Sequence, residues 1–192
     1  MKRLCIYCGS NPGRQPLYRE AAEELVRAMA QRGLGLVYGG AHVGIMGVIA
    51  DTMLDLGGEV IGVIPHGLVA KEVAHEGLND LRIVDSMHER KALMLELADG
   101  AIALPGGLGT LDETFEALTW AQLGIHNKPC GLLNVGGYYD HLAAFLGHAV
   151  QEGYVKDRHK SMLLVESSPE KLLEQFAQYE PPTVSKWVRP EI

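Results

Sequence analysis

The sequence predicts an α/β fold: a doubly wound, mainly parallel sheet with helices on both faces. Short apolar runs alternate with longer amphipathic ones, the signature of repeated βα units. Gly or Pro closes most of the runs. Three glycine-rich stretches (9–13, 39–44 and 105–109) follow strand-like runs, where open sheets gather their ligand loops.

Taken in order, residues 4–8 read as a first buried strand, closed by Gly9-Ser10-Asn11-Pro12-Gly13. Tyr18, Ala21, Leu25 and Met29 then recur at helical spacing, and Gly33 ends that helix. Residues 34–38 form a second strand. Gly39-Gly40 turns into a helix through Met46, Ile49, Met53 and Leu56, stopped by Gly57-Gly58. A third strand, 59–64, ends at Pro65. From 66 to 80 the pattern is lost, and a loop of that length is usually a functional one. A short strand, 81–84, leads to Ser86, which with Glu89 has capping-box spacing for a helix to Ala98. Then come a strand at 101–104, the loop 105–109, and a helix from Thr110 to about Leu123. Strand 130–134, helix 138–151, strand 162–165 and helix 169–179 complete the pattern, and the Pro-rich tail 181–192 reads as irregular. With no repeat or linker, residues 1–192 are expected to form one domain.

The bulk properties fit that expectation and exclude several classes. A chain of 192 residues, 47% apolar and 21% charged, has the balance of a globular domain with one sizeable core. A net charge of −7 argues against a nucleic-acid partner, which would call for clustered Lys and Arg. No stretch approaches the roughly 20 apolar residues that span a bilayer, and the N-terminus lacks a secretory pattern. Cys5, Cys8 and Cys130 are too few, and odd in number, for a disulfide framework, which places the chain in a reducing, cytoplasmic setting. Cys5 and Cys8 have C-x-x-C spacing, but positions three apart on a strand face opposite sides of the sheet, so both read as buried small hydrophobes. The eight histidines show no H-x-x-x-H or H-E-x-x-H pattern, so no metal site is expected.

The chemistry concentrates in Pro-Gly-Gly-Leu-Gly-Thr-Leu-Asp-Glu, 105–113, between a strand and a helix. Gly106, Gly107 and Gly109 allow close backbone approach, and the unpaired amides of a first helical turn point outward with partial positive charge. Together with the Thr110 hydroxyl they make a phosphate cradle. The Gly-Lys-Ser/Thr ending of a triphosphate loop is missing, and Asp112 stands where a dinucleotide fingerprint needs glycine, so a monophosphate fits best. The plain alternative is a tight turn without a ligand.

Glu113 has two readings. Thr110 to Glu113 has capping-box spacing, which would occupy the carboxylate structurally. Glu113 would otherwise face the cleft one turn above the cradle, with Glu116 three residues on along the same helix side, for acid–base or charge-stabilising work. Arg90 shares the apolar stripe of Leu93, Met94 and Leu97, and a guanidinium there needs an anion: a structural salt bridge, Glu113, or a substrate phosphate. Lys91 is by default solvated, as are Glu72 and Glu76, and Ser10 needs no function in its turn.

The segments Cys8-Gly9-Ser10, Tyr38-Gly39-Gly40, Gly44-Ile45-Met46-Gly47, Val63-Ile64-Pro65, Met87-His88-Glu89-Arg90-Lys91, 105–113 and 119–125 together resemble the LONELY GUY family. These are Rossmann-like cytokinin riboside 5′-monophosphate phosphoribohydrolases, and the resemblance runs from about Leu4 to Tyr154. It implies an N-glycosyl hydrolase that splits AMP or an N6-modified AMP into free base and ribose 5-phosphate, without a cofactor. Many members carry a lysine decarboxylase label, for which this sequence offers no pyridoxal-phosphate lysine motif. The resemblance further implies a homodimer with sites near the subunit contact. It assigns substrate binding to Glu72, Arg90, Lys91, Gly107, Leu108, Gly109, Thr110, Leu111, Asp112, Glu113 and Thr119, and catalysis to Arg90 and Glu113. Lys91 and the cradle would anchor phosphate, and the base would lie near Ser10 and Met46. Asp112 stands where the family often has Glu. The competing expectation is a non-enzymatic nucleotide- or cofactor-binding carrier of the same fold; a phosphotransferase would need the triphosphate loop that is missing.

Overall fold

The computed structural model describes residues 1–69, 74–78 and 80–182. Seven strands form one all-parallel sheet: β1 (Arg3–Tyr7), β2 (Gly35–Tyr38), β3 (Val60–Pro65), β4 (Asp80–Val84), β5 (Ala101–Ala103), β6 (Cys130–Leu133) and β7 (Leu163–Glu166). Their order across the sheet is β4-β3-β2-β1-β5-β6-β7. The winding therefore reverses between β1 and β5, and a crevice opens at the carboxyl ends of those two strands.

Helices α1 (Pro16–Gln31), α2 (Gly44–Asp55), α3 (His66–Val69), α4 (Met87–Leu97), α5 (Leu108–Gln122), α6 (Asp140–Gln151), α7 (Asp157–Lys160) and α8 (Pro169–Ala177) connect the strands. The near-continuous apolar runs of the central strands follow from burial on both faces. Leu4, Ile6 and Cys8 join one core layer with Leu25 and Met29 of α1, Ile49 and Met53 of α2, and Phe176 of α8. Cys5 and Tyr7 join the opposite layer with Met94 of α4, Ala117 of α5 and Leu146 of α6. The two cysteines of the C-x-x-C spacing thus lie on opposite sides of the sheet, as strand periodicity requires.

Three local readings change. Helix α5 starts at Leu108 rather than Thr110, with extended Gly107 as its N-cap and no side chain in the capping role. Thr110 lies inside the first turn, so Thr110 to Glu113 is not a capping box. The helix expected from 138 begins at Asp140, after a 3-10 turn at Val135–Gly137. The long loop is partly tied down: α3 opens it, Ala74 bridges to Ala41, and the His75 amide donates to the Gly40 carbonyl at 3.0 Å. By contrast, Ser86 caps α4 as its spacing predicts, accepting from the Glu89 amide at 3.1 Å. The irregular reading of the tail concerns mostly 183–192, which lie outside the described residues. Among the described residues no helix is long and apolar enough to cross a membrane.

Candidate active site

The three glycine-rich loops meet at the β1–β5 crevice. The Ile45 amide donates to the Gly9 carbonyl at 3.1 Å, which joins the loops after β1 and β2. Gly106 packs so tightly that a Cβ there would overlap Thr110 Oγ1 and stand 2.9 Å from the Gly9 amide nitrogen. Only glycine allows that approach. Between the loops lies a cleft of about 270 Å³. Gly9, Ser10 and Met46 form one side, Gly107 to Thr110 another, and Arg90 and Glu113 line the cleft together with apolar side chains that include Leu68, Met87 and Met94.

At the mouth of α5, Gly107 supplies no side-chain cap, so the first-turn amides are left to whatever enters the cleft. Thr110 is buried beside them and its carbonyl accepts from Thr114 Oγ1 at 2.6 Å. Glu113, released from the capping reading, is 9% exposed and turns into the same cleft. Leu111 is half-buried and packs into the core instead.

Arg90 is buried beneath the cleft and reaches the main chain of β3 and of the turn after β2. Its Nε donates to the Val63 carbonyl at 3.1 Å and its Nη2 to the Gly39 carbonyl at 3.0 Å. Two main-chain carbonyls, Val63 within β3 and Gly39 just after β2, therefore orient this guanidinium, a role none of the sequence readings included. The charges of Arg90 and Glu113 both act on Cys8, which also lines the cleft. Burial, reinforced by Glu113 and opposed by Arg90, pushes that thiol far above its usual range, so it is no nucleophile.

Lys91 departs from the sequence reading. It is buried rather than solvated, and its Nζ lies 3.0 Å from Asp112 Oδ2 and 3.1 Å from Glu116 Oε2. Burial alone would lower its pKa, but hydrogen bonds to the two carboxylates outweigh that and leave it raised. Glu116 thus pairs with α4 across the helix interface, and Glu113 and Glu116 do not form the expected carboxylate pair in the cleft. Asp112 sits at the rim, largely exposed. Thr119, exposed on α5 nearly two turns beyond Glu113, lies apart from the cleft residues. Glu72 lies outside the described residues.

One constellation escaped the spacing rules because its members come from separate elements. Potential metal ligands of His42, Asp51 and His75 lie within 4.8 Å of one another. His75 Nδ1 accepts from the Gly77 amide at 3.1 Å, which makes Nε2 the proton-bearing nitrogen, 2.9 Å from Asp51 Oδ1. The three side chains lie outside the cleft, and the His75–Asp51 pair fastens the end of the long loop to α2.

Comparison with known proteins adds an independent line. A family model described as "Possible lysine decarboxylase" matches residues 46–176. A cytokinin riboside 5′-monophosphate phosphoribohydrolase of Rhodococcoides fascians is 51% identical over 165 residues, covering 85% of this chain and 83% of that protein. The rice enzyme of the same name, LOG, is 46% identical over 180 residues, covering 94% and 74%. Among solved structures, the molybdenum cofactor carrier protein of Chlamydomonas reinhardtii superposes with a TM-score of 0.70 at 17% identity, covering 93% and 99% of the two chains. At that identity the likeness is one of fold.

Proposed function

The chain belongs to the family of cytokinin riboside 5′-monophosphate phosphoribohydrolases, and from that membership we propose how its cleft hydrolyses the N-glycosidic bond of an adenosine 5′-monophosphate, N6-modified or plain. One observation carries the reading: first-turn amides of α5, the Glu113 carboxylate and the Arg90 guanidinium converge on one cleft at the point where the sheet reverses.

The amides of Gly107 to Thr110 and the Thr110 hydroxyl hold the 5′-phosphate, an anion placed where the helix dipole favours it. That anchor sets the ribose beside Glu113 and the base toward Ser10 and Met46. As the bond from C1′ to N9 breaks, its electron pair leaves with the base, which takes up a proton, and positive charge develops on the ribose. Glu113 stabilises that charge and takes a proton from the attacking water, whose oxygen bonds to C1′. Arg90, fixed by the Gly39 and Val63 carbonyls, supplies a positive charge in the same cleft as Glu113 and adds a donor for ribose or phosphate oxygens. Lys91 acts on the site through α5 rather than on the phosphate, because its ammonium is committed to Asp112 and Glu116. Glu72 is carried as a substrate contact by the resemblance alone.

A second copy of the chain over α5 completes the reading. Leu123 and Ile125, exposed at the end of that helix, are suited to a subunit contact, and Thr119 beside them would then serve the neighbouring cleft. Light scattering should report a dimer, and Ile125→Glu should dissociate it.

Incubation with AMP and with N6-isopentenyl AMP, followed by chromatography, tests the activity. Free base and ribose 5-phosphate should appear in equal amounts without consumption of ATP. Nucleotide bound but recovered intact would instead make the protein a carrier.

A further inference from the structure

Two consecutive tyrosines grip the phosphate loop from behind. Tyr138 Oη donates to the Gly106 carbonyl at 2.7 Å, and Tyr139 Oη donates to the Leu104 carbonyl at 2.6 Å, so the main chain is held on both sides of Pro105. The pair is itself braced. The Tyr139 amide donates to Asn134 Oδ1 at 2.7 Å, and Asn134 Nδ2 donates to Asp140 Oδ1 at 2.7 Å. The Tyr138 ring stands edge-on between those of Tyr18 and Tyr139, at centroid distances of 5.8 and 5.0 Å. Tyr138 does not line the nucleotide cleft; with Tyr18, Pro105 and Gly106 it lines an adjoining depression that meets the cleft at Gly9, Ser10 and Gly107.

The peptide joining Gly106 to Gly107 is planar and trans, so its C=O and N–H point in opposite directions. The Tyr138 hydroxyl draws the Gly106 carbonyl toward its own depression, so the Gly107 amide points the opposite way, and Gly107, unlike Gly106, lines the cleft. A glycine pair has little intrinsic preference between this peptide orientation and its reverse, because neither residue carries a Cβ. A reversed peptide would present a carbonyl oxygen to the phosphate. We infer that Tyr138 is a positioning residue for phosphate recognition, fixing the Gly106–Gly107 peptide with its amide toward the substrate. The inference rests on the proposed placement of the phosphate.

Tyr138→Phe removes one hydroxyl and leaves the ring stack in place, and Tyr138 is 44% exposed, so the fold should survive. Calorimetric titration with ribose 5-phosphate and with adenosine separates phosphate recognition from general damage. Loss of one hydrogen bond should weaken ribose 5-phosphate binding about three- to tenfold. Adenosine binding and Tm should stay at wild-type values, and the KM for AMP should rise with kcat little changed. Unchanged ribose 5-phosphate affinity overturns the inference, as does an equal loss for both ligands or a wild-type protein that binds no ribose 5-phosphate. Wild-type protein that binds ribose 5-phosphate yet releases no base from AMP would sink the hydrolase reading and leave the Tyr138 result standing.

Discussion

The Arg90 guanidinium occupies the space that a side chain on Gly39 would need: Nη2 donates to the Gly39 carbonyl at 3.0 Å, and a Cβ on Gly39 would overlap that nitrogen. Gly39 is not among the glycines with positive φ, so its backbone would tolerate alanine, and the collision with Arg90 is the specific penalty. Gly39→Ala should therefore displace the guanidinium and lower kcat/KM by about a hundredfold, the scale of an ångström-level misplacement of a catalytic group. A double-mutant cycle with Arg90→Met, read by thermal unfolding, checks the cause. Once the guanidinium is gone, Gly39→Ala should cost far less stability than it does alone.

Glu113→Gln separates catalysis from architecture more cleanly than the sequence implied. Gly107 is the N-cap of α5, and glutamine keeps the size of the side chain and one of its acceptor oxygens, so the amide should keep near-native stability. Turnover of AMP should fall by about 10²–10⁴-fold, the range for loss of an acid–base group. Steady-state assays on protein of verified Tm measure both quantities, and normal turnover would remove Glu113 from the mechanism.

Lys91→Met tests whether that ammonium serves the helices or the phosphate. Removal leaves Asp112 and Glu116 facing each other without their shared cation. Asp112 is well exposed, so the expected loss is about 1–3 kcal/mol, below that of a fully buried pair. The triple variant Lys91→Met, Asp112→Asn, Glu116→Gln should recover most of it. A phosphate ligand would behave otherwise: the KM for AMP would rise sharply and the triple variant would not restore it.

The contrast between Lys91 and Arg90 marks how far the sequence could be read. Strand and helix periodicity located every strand among the described residues and the long helices, and the glycine punctuation placed the three glycine-rich loops at the sheet's carboxyl edge. The burial of Arg90 followed from the apolar stripe it shares. Its partners did not, because the main-chain carbonyls of Gly39 and Val63 carry no residue signature. The burial of Lys91 has no local signature, since its two carboxylates lie on α5, more than 20 positions away, and the packing of α4 on α5 brings them together. The same limit hid the grouping of His42, Asp51 and His75. The start of α5 was misplaced by two residues because Thr110 is the stronger capping type, whereas close packing on Gly106 draws it into the first turn.

The three buried thiols give a pH signature. Burial pushes Cys130 up to about 12, and burial followed by the charge of Glu113 drives Cys5 and Cys8 well above their usual range. A thiol raised in the folded state holds its proton after the unfolded chain has lost it. Stability from this source is therefore complete below the unfolded value of about 8.5 and declines as pH rises above it. Tm should fall steadily between about pH 8.5 and 10.5, with each thiol contributing up to about 1.4 kcal/mol per pH unit. Cys130→Ala should make that decline shallower. At pH 8 a thiol-reactive dye should label none of the three in native protein and all three in denaturant, since thiolate fraction and access both limit the reaction. Rapid labelling of Cys8 in native protein would mean that the chain beside the cleft opens to solvent, which is incompatible with a guanidinium held between the carbonyls of Gly39 and Val63.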